Sequence, residues 1–277
     1  MSEFESVGSW LEDLRELNAI IATTGEPLVG NLFYDHLQAD YLCSPPNPIL
    51  REKRDRFRRA IAGRASLLEV GVNGGHSAFL ALTSNPQIKY HGVDICEHAY
   101  VKPAVDWLKR KFPGRVFLYE GDCRVVLPQL VRDGWGFDAF HIDGAKFTYF
   151  EDVRNCQRMV MGDGLVIVDD TQLPGVSRVL ERCMRQGRIK PLSGFPSMTP
   201  SIKYRNAIGR LEPMPAWRTV IFDLFVPARR LKKRESVQRL AAEAPRLMRR
   251  HAARTASLLR HPVAVIRRRV RRGAVRP

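Results

Sequence analysis

LLEVGVNGGHS, residues 67–77, is the stretch that indicates the fold most clearly. An apolar run ends at Val70 and leads into a glycine-rich turn and the start of a helix. Glycine suits a turn in which the backbone takes a positive φ or approaches a ligand closely. The free N–H groups of a helix start can bind an anionic group. The stretch therefore predicts a strand, a turn and a helix with a candidate ligand site, although purely structural turns share the pattern.

Strands and helices alternate along the rest of the central sequence. Apolar, β-branched runs of strand length occur at 66–70, 90–95, 116–120, 137–142 and 165–168. Such alternation predicts βαβ crossovers and a parallel sheet covered by helices on both faces. We therefore predict a doubly wound, mostly parallel α/β fold. Further strands are expected at 206–211 and 219–226, where they could form a terminal antiparallel hairpin.

Three segments are expected along the 277 residues. Residues 1–62 form a helical cap, with apolar residues at helical spacing from Leu11 and a proline-rich break at 44–48. Residues 63–226 form the main domain, and residues 227–277 form a basic tail. At this length the core needs neither a disulfide nor a structural metal.

The charge lies almost entirely in the tail. The chain has a formal charge of +16, and residues 227–277 hold 17 Lys and Arg against two acids, a net charge of +15. Such a tail could contact anionic lipid or nucleic acid phosphates, or remain a solvated extension. Apolar residues at helical spacing from Val237 to Met248 favour an interfacial helix. Five scattered cysteines, an acidic N-terminus and no apolar run of about 20 residues predict a cytoplasmic protein, peripheral at a membrane at most.

Acidic residues follow three successive predicted strands. Glu69 precedes the first glycine of the turn, Asp94 ends the second strand, and Asp122 follows the third. Ligands of open α/β sheets bind at the carboxyl edge, where an acid can accept hydrogen bonds from a ribose diol. The spacing Gly71-x-x-Gly74-Gly75 also differs from the pyrophosphate motif G-x-G-x-x-G. These acids fit a nucleoside that carries positive charge.

At these residues the chain resembles the class I S-adenosylmethionine-dependent methyltransferases over roughly 63–186, in particular the metal-dependent O-methyltransferase branch that includes catechol and bacterial sugar O-methyltransferases. The matching positions are Glu69, Gly71, Gly75, Ser77, Asp94 and Asp122. Asn73 departs from the commonest form, in which glycine is usual. The resemblance implies that Ser77 and nearby N–H groups hold the cofactor carboxylate, Asp94 the ribose, and the loop at Asp122 the adenine end. Helix caps are the alternative for Ser77 and Asp122.

A second group of acids follows the next two predicted strands. Asp143 follows the strand at 137–142, and Asp169 and Asp170 follow the strand at 165–168. Three carboxylates in a small volume repel one another unless protons or a cation neutralise them. Oxygen ligands suit Mg²⁺ or another hard divalent cation, which keeps positions for substrate oxygens. The sequence predicts a metal site, with a turn cap as the alternative for Asp170.

Lys146 lies three residues after Asp143 and is the candidate general base. In this hypothesis an acceptor with two adjacent oxygens, such as a sugar, a glycolipid precursor or a catechol-like molecule, chelates the cation and attacks the sulfonium methyl. His141 is expected to be a core strand residue. Two rival functions remain open: a nucleic-acid methyltransferase that binds through its tail, which is less favoured because its usual catalytic motifs are missing, and a catalytically silent binding module at an anionic membrane.

Overall fold

The computed structural model describes residues 9–198 and 204–215. Its centre is a seven-stranded sheet with the strand order β3-β2-β1-β4-β5-β7-β6. The strands are β1 (Ser66–Val70), β2 (Lys89–Asp94), β3 (Val116–Glu120), β4 (Phe137–Ile142), β5 (Val160–Val168), β6 (Ile189–Pro191) and β7 (Ala207–Leu211). The first five strands are parallel, and β7 runs antiparallel to both of its neighbours. The predicted doubly wound, mostly parallel fold is confirmed.

Helices cover both faces of this sheet. They are α1 (Ser9–Ala22), α2 (Arg51–Ile61), α3 (His76–Ser84), α4 (Val101–Lys111), α5 (Cys123–Arg132), α6 (Tyr149–Cys156) and α7 (Pro174–Arg185). Helices α2, α3 and α4 share one core with one side of the strands, and α1 packs on α4. Helices α5, α6 and α7 close the other side. None of the helices in the described ranges is long and apolar enough to cross a membrane.

Alternation along the strands decides which side chains face α2. On β1, β4 and β5 the odd-numbered residues Leu67, Ala139 and Leu165 belong to the core on the α2 side. Their even-numbered neighbours belong to the core on the other side. Because side chains on a strand alternate, Glu69 and His141 also point towards α2. Polar residues at the carboxyl ends of these strands therefore meet the N-terminal helices.

Within the described part of the N-terminal segment, regular α-helix is present at Ser9–Ala22 and Arg51–Ile61 but not between them. Helix α1 ends at Ala22, and Gly25 follows with φ at 72°, a value that favours glycine. The chain then runs without regular helix until a short 3-10 turn at Pro48–Leu50 leads into α2. Thr23 and Thr24 donate their hydroxyl groups back to carbonyls of α1 and compete with further helix.

The structure describes one of the two strands predicted near the C-terminal end of the main domain. The strand expected at 206–211 is present as β7, which pairs with β5 and with the unpredicted β6. The described residues up to Pro213 belong to one compact unit, whereas the predicted strand at 219–226 and the tail lie outside the described residues. The pairing of β7 with β5 matters for the site because β5 leads directly into Asp169.

Candidate active site

The predicted aspartates come together at the carboxyl edge of β4 and β5. The strands are paired, with His141 beside Ile167, and the Asp169 N–H donates to the Ile142 carbonyl at 3.0 Å. Asp143 and Asp169 each follow their strand at the same level. Asp170 has a φ of 55°, so the chain turns there and sends its side chain away from that of Asp169. Strand β5 therefore ends before Asp169 and Asp170, whose side chains point in different directions.

Lys146 joins two of these acids. Its Nζ lies 3.1 Å from Asp143 Oδ1 and 2.5 Å from Asp170 Oδ2. It also donates to the hydroxyl oxygen of Tyr149 at 3.0 Å. Burial alone would lower the pKa of Lys146, but the two carboxylates outweigh it and raise the pKa above its usual value. Lys146 is thus an ammonium group at neutral pH in this arrangement.

A second lysine, which the sequence did not single out, neutralises Asp169. Lys53 on α2 places its Nζ 2.7 Å from Asp169 Oδ1, and both side chains are almost completely buried. Burial disfavours the charged form of both side chains. For each of them, the opposite charge of its partner outweighs this effect. The pKa of Lys53 is raised and the pKa of Asp169 is held well below its usual range. The pair is a buried salt bridge between the N-terminal cap and the sheet.

His141 connects Asp169 to an acid on β1. Its Nδ1 lies 2.5 Å from Glu69 Oε1, and its Nε2 lies 3.7 Å from Asp169 Oδ2. Burial would lower the pKa of His141, but Glu69 and Asp169 raise it to about 10. The prediction of a core strand residue is correct as to burial, since the ring also packs edge-on against Phe57. The ring is, however, part of the acid cluster.

Asp143 has the opposite shift to Asp169. Removal from water, followed by the negative charge of Asp169, raises its pKa to about 7. Lys146, His141 and Lys53 act in the other direction without cancelling these effects. Two neighbouring carboxylates whose pKa values move apart are typical of functional sites, although structural ion pairs also produce such shifts.

Glu69, one of the acids predicted to face a ligand at the carboxyl edge, is not accessible there, which corrects the expected placement. Its side chain is fully buried, and its carboxylate accepts hydrogen bonds from Ser77, Tyr90 and the ring of His141. The Ser77 hydroxyl donates to Glu69 Oε1 at 2.5 Å and is itself buried. Because its side chain is buried and its carboxylate already accepts these hydrogen bonds, Glu69 stabilises the site from the protein interior and is not accessible to a cofactor. A role of Ser77 towards a cofactor stays a prediction.

The glycine turn touches the acid cluster directly. Gly71 has φ at 92°, and a side chain there would place its first carbon 2.5 Å from the carbonyl oxygen of Asp143. Gly75, at φ 74°, packs against Leu108 of α4. Only glycine therefore lets the turn after β1 lie against the loop after β4. This contact puts the turn next to the carboxylates.

Asn73, the departure from the commonest glycine pattern, anchors the turn to the cap. Its φ of 52° is one that asparagine tolerates better than most residues. Its amide donates to the carbonyls of Val29 and Gly30, and its oxygen accepts from the hydroxyl of Tyr100. The residues before α2 are thereby held over the turn.

The two remaining predicted cofactor residues lie at neighbouring strand ends. Asp94 accepts the N–H groups of Val72 and Asn73 on one oxygen and that of Cys96 on the other. Asp122 caps α5 by accepting the N–H of Arg124 at 2.8 Å, as the alternative interpretation expected. Both acids hold backbone in place, and the ribose and adenine roles stay predictions.

Large apolar side chains are uncovered at this edge. Ile95, directly after Asp94, is 60% exposed, and Phe147, in the loop after β4, is 79% exposed. The guanidinium of Arg124 lies 5.7 Å from the centre of the Phe147 ring. Exposed apolar groups beside charged ones at a sheet edge are suited to a flat, partly apolar ligand.

A family model described as a methyltransferase domain matches residues 68–171, which include the glycine turn and the three aspartates. Over these residues the chain is similar to methyltransferase domains, as the sequence motifs predicted. The resemblance inferred from the sequence is thereby confirmed. No curated protein matches the chain in sequence.

Solved structures share the fold of this chain. A cofactor-bound protein from MTB, Rv0187, is 17% identical, with a TM-score of 0.55 over 73% of this chain and 90% of that one. An O-methyltransferase from Bacillus cereus in complex with SAH is also 17% identical, with a TM-score of 0.55 over 74% and 91% of the two chains. At this identity the likeness shows the shared fold.

Two residues of the acid cluster, Lys53 and His141, were missed in the sequence, although each left a signal there. Lys53 lies four residues before Phe57 and eight before Ile61, so it occupies the buried stripe of α2. A lysine in such a stripe requires a buried acid. His141 lies two residues before Asp143 on the same face of a strand, so it points towards whatever Asp143 approaches.

Proposed function

We propose that this methyltransferase transfers the methyl group of S-adenosylmethionine to a hydroxyl oxygen of an acceptor with two adjacent oxygens, such as a sugar, a glycolipid precursor or a catechol-like molecule. The observation that carries the proposal is the ammonium of Lys146 held between Asp143 and Asp170. These three side chains remain 23–38% exposed, whereas their neighbours are buried. An acceptor can therefore reach charged groups beside the glycine turn.

The cofactor would lie across the carboxyl edge of β1 and β2. The turn at Gly71 supports its amino acid end, Asp94 its ribose, and the loop at Asp122 its adenine. Support comes from the uncovered Ile95 and Phe147, which would pack against the base. Because Asp94 has accepted three backbone N–H groups, a ribose diol would use the remaining lone pairs of its oxygens.

A divalent cation, predicted as Mg²⁺, fits the acid cluster. One ligand atom each of His141, Asp143 and Asp169 lie within 4.8 Å of one another. When bound, a divalent cation would lower the pKa of a coordinated hydroxyl and, by sharing Asp143 with Lys146, weaken the ion pair that keeps Lys146 protonated. Asp170, the third predicted ligand, has one oxygen on Lys146 and the other on Gln172.

Lys146 is proposed as the group that handles the acceptor proton. As an ammonium it can donate a hydrogen bond to an acceptor oxygen and hold it near the methyl group. It can accept the hydroxyl proton only after losing its own, and both of its carboxylate partners oppose that loss. The hydrogen bond to Tyr149 fixes the direction of its Nζ.

A transfer assay with methyl-labelled S-adenosylmethionine tests this function. Catechols and sugars would be offered as acceptors, with the wild type, with Asp143→Ala and with a surface control, Asp106→Asn. We expect labelled methyl ether with the wild type and the control, and none with Asp143→Ala or after chelation by EDTA. Label on nitrogen or carbon, or full activity of Asp143→Ala, would contradict the proposal.

The basic tail carries no part of this proposal. Its predicted contact with anionic lipid stays a prediction, because residues 227–277 lie outside the described part of the chain. Vesicle flotation of the full chain and of a chain ending at residue 226 would test it. Equal recovery of the two proteins with anionic vesicles would reject lipid binding by the tail.

A further inference from the structure

One buried polar atom of the acid cluster has no hydrogen-bond partner. The side chain of His141 is 1% exposed, and its Nε2 makes no hydrogen bond to any residue in the described ranges. Leaving such an atom unsatisfied costs about 1–3 kcal/mol. Buried polar atoms without partners are few in folded proteins, and an unplaced ion is one recognised cause.

The other side of the ring fixes which nitrogen is available. Nδ1 lies 2.5 Å from Glu69 Oε1 and must donate its proton there, because a carboxylate can only accept. Ser77 and Tyr90 donate to the same carboxylate and hold it in place. Once a metal ion displaces the Nε2 proton, the neutral ring presents a lone pair on Nε2. A carboxylate behind the distal nitrogen is the arrangement that orients histidines that bind metals.

The distances around Nε2 suit an ion better than a hydrogen bond. Nε2 and Asp169 Oδ2 are 3.7 Å apart, which is too far for a hydrogen bond. Two ligands about 2.1 Å from one ion are separated by about 3.0–3.6 Å for angles of roughly 90–120°, close to the observed separation. Asp143 also has a carboxylate oxygen within the same 4.8 Å group. Three candidate ligand atoms from the ends of two strands thus lie close together, and small side-chain movements would bring them around one cation.

The charges of the cluster leave room for a divalent ion. Four carboxylates, those of Glu69, Asp143, Asp169 and Asp170, face two ammonium groups, those of Lys53 and Lys146. With Asp143 ionised and His141 neutral, as metal binding would require, two formal negative charges remain, which a divalent cation would balance. Lys53 occupies Oδ1 of Asp169 and leaves Oδ2 facing His141.

We infer that His141 Nε2 binds a divalent cation together with Asp143 and Asp169, and that Asp170 stays with Lys146 outside the ligand set. The inference rests on the proposed function but changes the third ligand. It also changes the preferred ion, because imidazole suits transition metals such as Fe²⁺ or Zn²⁺, whereas Mg²⁺ prefers oxygen ligands alone. Glu69 is then a positioning residue for the His141 ligand.

Calorimetric titration of chelator-treated full-length protein with Mn²⁺ and Mg²⁺ tests the ligand set. We expect one Mn²⁺ site that binds more tightly than Mg²⁺, with affinity reduced at least tenfold in His141→Gln and by 10–100-fold in Glu69→Gln. Asp170→Asn should change the affinity less than threefold. His91→Gln is the matched control, since His91 is also a buried strand histidine but packs among aromatic rings.

A spectroscopic measurement on the wild type removes the dependence on variants that fail to fold. Pulsed electron paramagnetic resonance of the Mn²⁺-loaded protein, with ¹⁵N-labelled histidine, should show coupling to one imidazole nitrogen. Absence of that coupling, with Mn²⁺ bound, would overturn the inference. Loss of Mn²⁺ binding in Asp170→Asn but not in His141→Gln would overturn it as well.

These outcomes separate the inference from the proposed function. If no divalent ion binds the wild type, both cation assignments fail, but methyl transfer to oxygen can still be measured in the same preparation. If Mn²⁺ binds without histidine coupling, only the ligand set proposed here fails. If labelled methyl is never transferred to oxygen while the histidine-bound ion is present, the cation site stands and the proposed reaction fails.

Discussion

The acid cluster has a buried half and an exposed half. The buried group is Lys53, His141 and Asp169, whose side chains are at most 6% exposed, whereas the exposed group is Asp143, Lys146 and Asp170 at 23–38%. Both groups combine acidic and basic side chains, but their surroundings differ. The buried group can hold the site together but cannot meet an acceptor. The exposed group makes weaker, solvent-screened ion pairs and remains reachable.

Substitutions in the buried group should lower stability, whereas substitutions in the exposed group should lower the reaction rate. Breaking a buried ion pair leaves an uncompensated charge and costs stability. Removing a partly exposed charge costs little stability, so its effect should appear in the reaction. The following variants test this separation.

The largest expected effect is a loss of catalytic rate when a residue of the exposed group is changed. Lys146→Met should lower kcat by about 10²- to 10⁴-fold, because proton handling and acceptor positioning are lost together. The free energy of unfolding should change far less than the reaction barrier. Steady-state kinetics and urea unfolding measure the two effects. The control is Lys102→Met, which removes an exposed lysine paired with Glu120, and a loss of activity there equal to that of Lys146→Met would break the comparison.

Lys53→Met should lower the free energy of unfolding by about 3–5 kcal/mol, because Asp169 stays buried without its partner. Changing both residues, to Lys53→Met with Asp169→Leu, should recover most of that loss. Urea unfolding of the two variants and of the wild type measures both quantities. A single variant as stable as the wild type would show that the buried group does not hold the site together.

The buried group should also make stability depend on pH. The pKa of His141 is raised from 6.5 to about 10 in the folded protein, so the folded state binds its proton more tightly than the unfolded chain. This contribution is fully present below about pH 6.5 and is lost as the pH rises towards 10. In chelator-treated protein, unfolding free energies measured over this range should fall more steeply for the wild type than for His141→Gln. If the unfolding free energies of the two proteins fell equally with pH, the result would contradict the assignment of the ion pairs to His141.

The smallest expected effect distinguishes a cap from a cofactor contact. Asp122→Ala should cost about 1 kcal/mol of stability, because the N–H of Arg124 loses its acceptor. If Asp122 also meets the adenine end of the cofactor, calorimetry should show weaker binding of S-adenosylmethionine. A change in stability with unchanged cofactor affinity would limit Asp122 to its capping role.

The sequence predicted what repeats locally and missed what depends on distant packing. Strand-length runs and the glycine turn gave the five parallel strands and brought Asp143 close to Asp169. Glu69 was predicted to face a ligand, but the position of its carboxylate depends on hydrogen bonds from Ser77, Tyr90 and His141. Those contacts form only when three strands and a helix are assembled.

The partner of Asp169 illustrates the same limit. Lys53 is one of seven basic residues in residues 51–64, and no local pattern says which of them faces an acid more than 100 positions away. Only its place in the buried stripe of α2 distinguishes it. The irregular segment after α1 was missed for a related reason, since its conformation is fixed by contacts such as that of Asn73 with Val29.

The account depends most on the claim that the exposed group carries out methyl transfer. Single-turnover transfer from labelled S-adenosylmethionine, measured with Asp143→Asn beside the affinity of the same variant for the cofactor, tests it most directly. The account predicts a rate reduced at least 100-fold with cofactor affinity within threefold of the wild type. A wild-type rate of transfer in Asp143→Asn would contradict it.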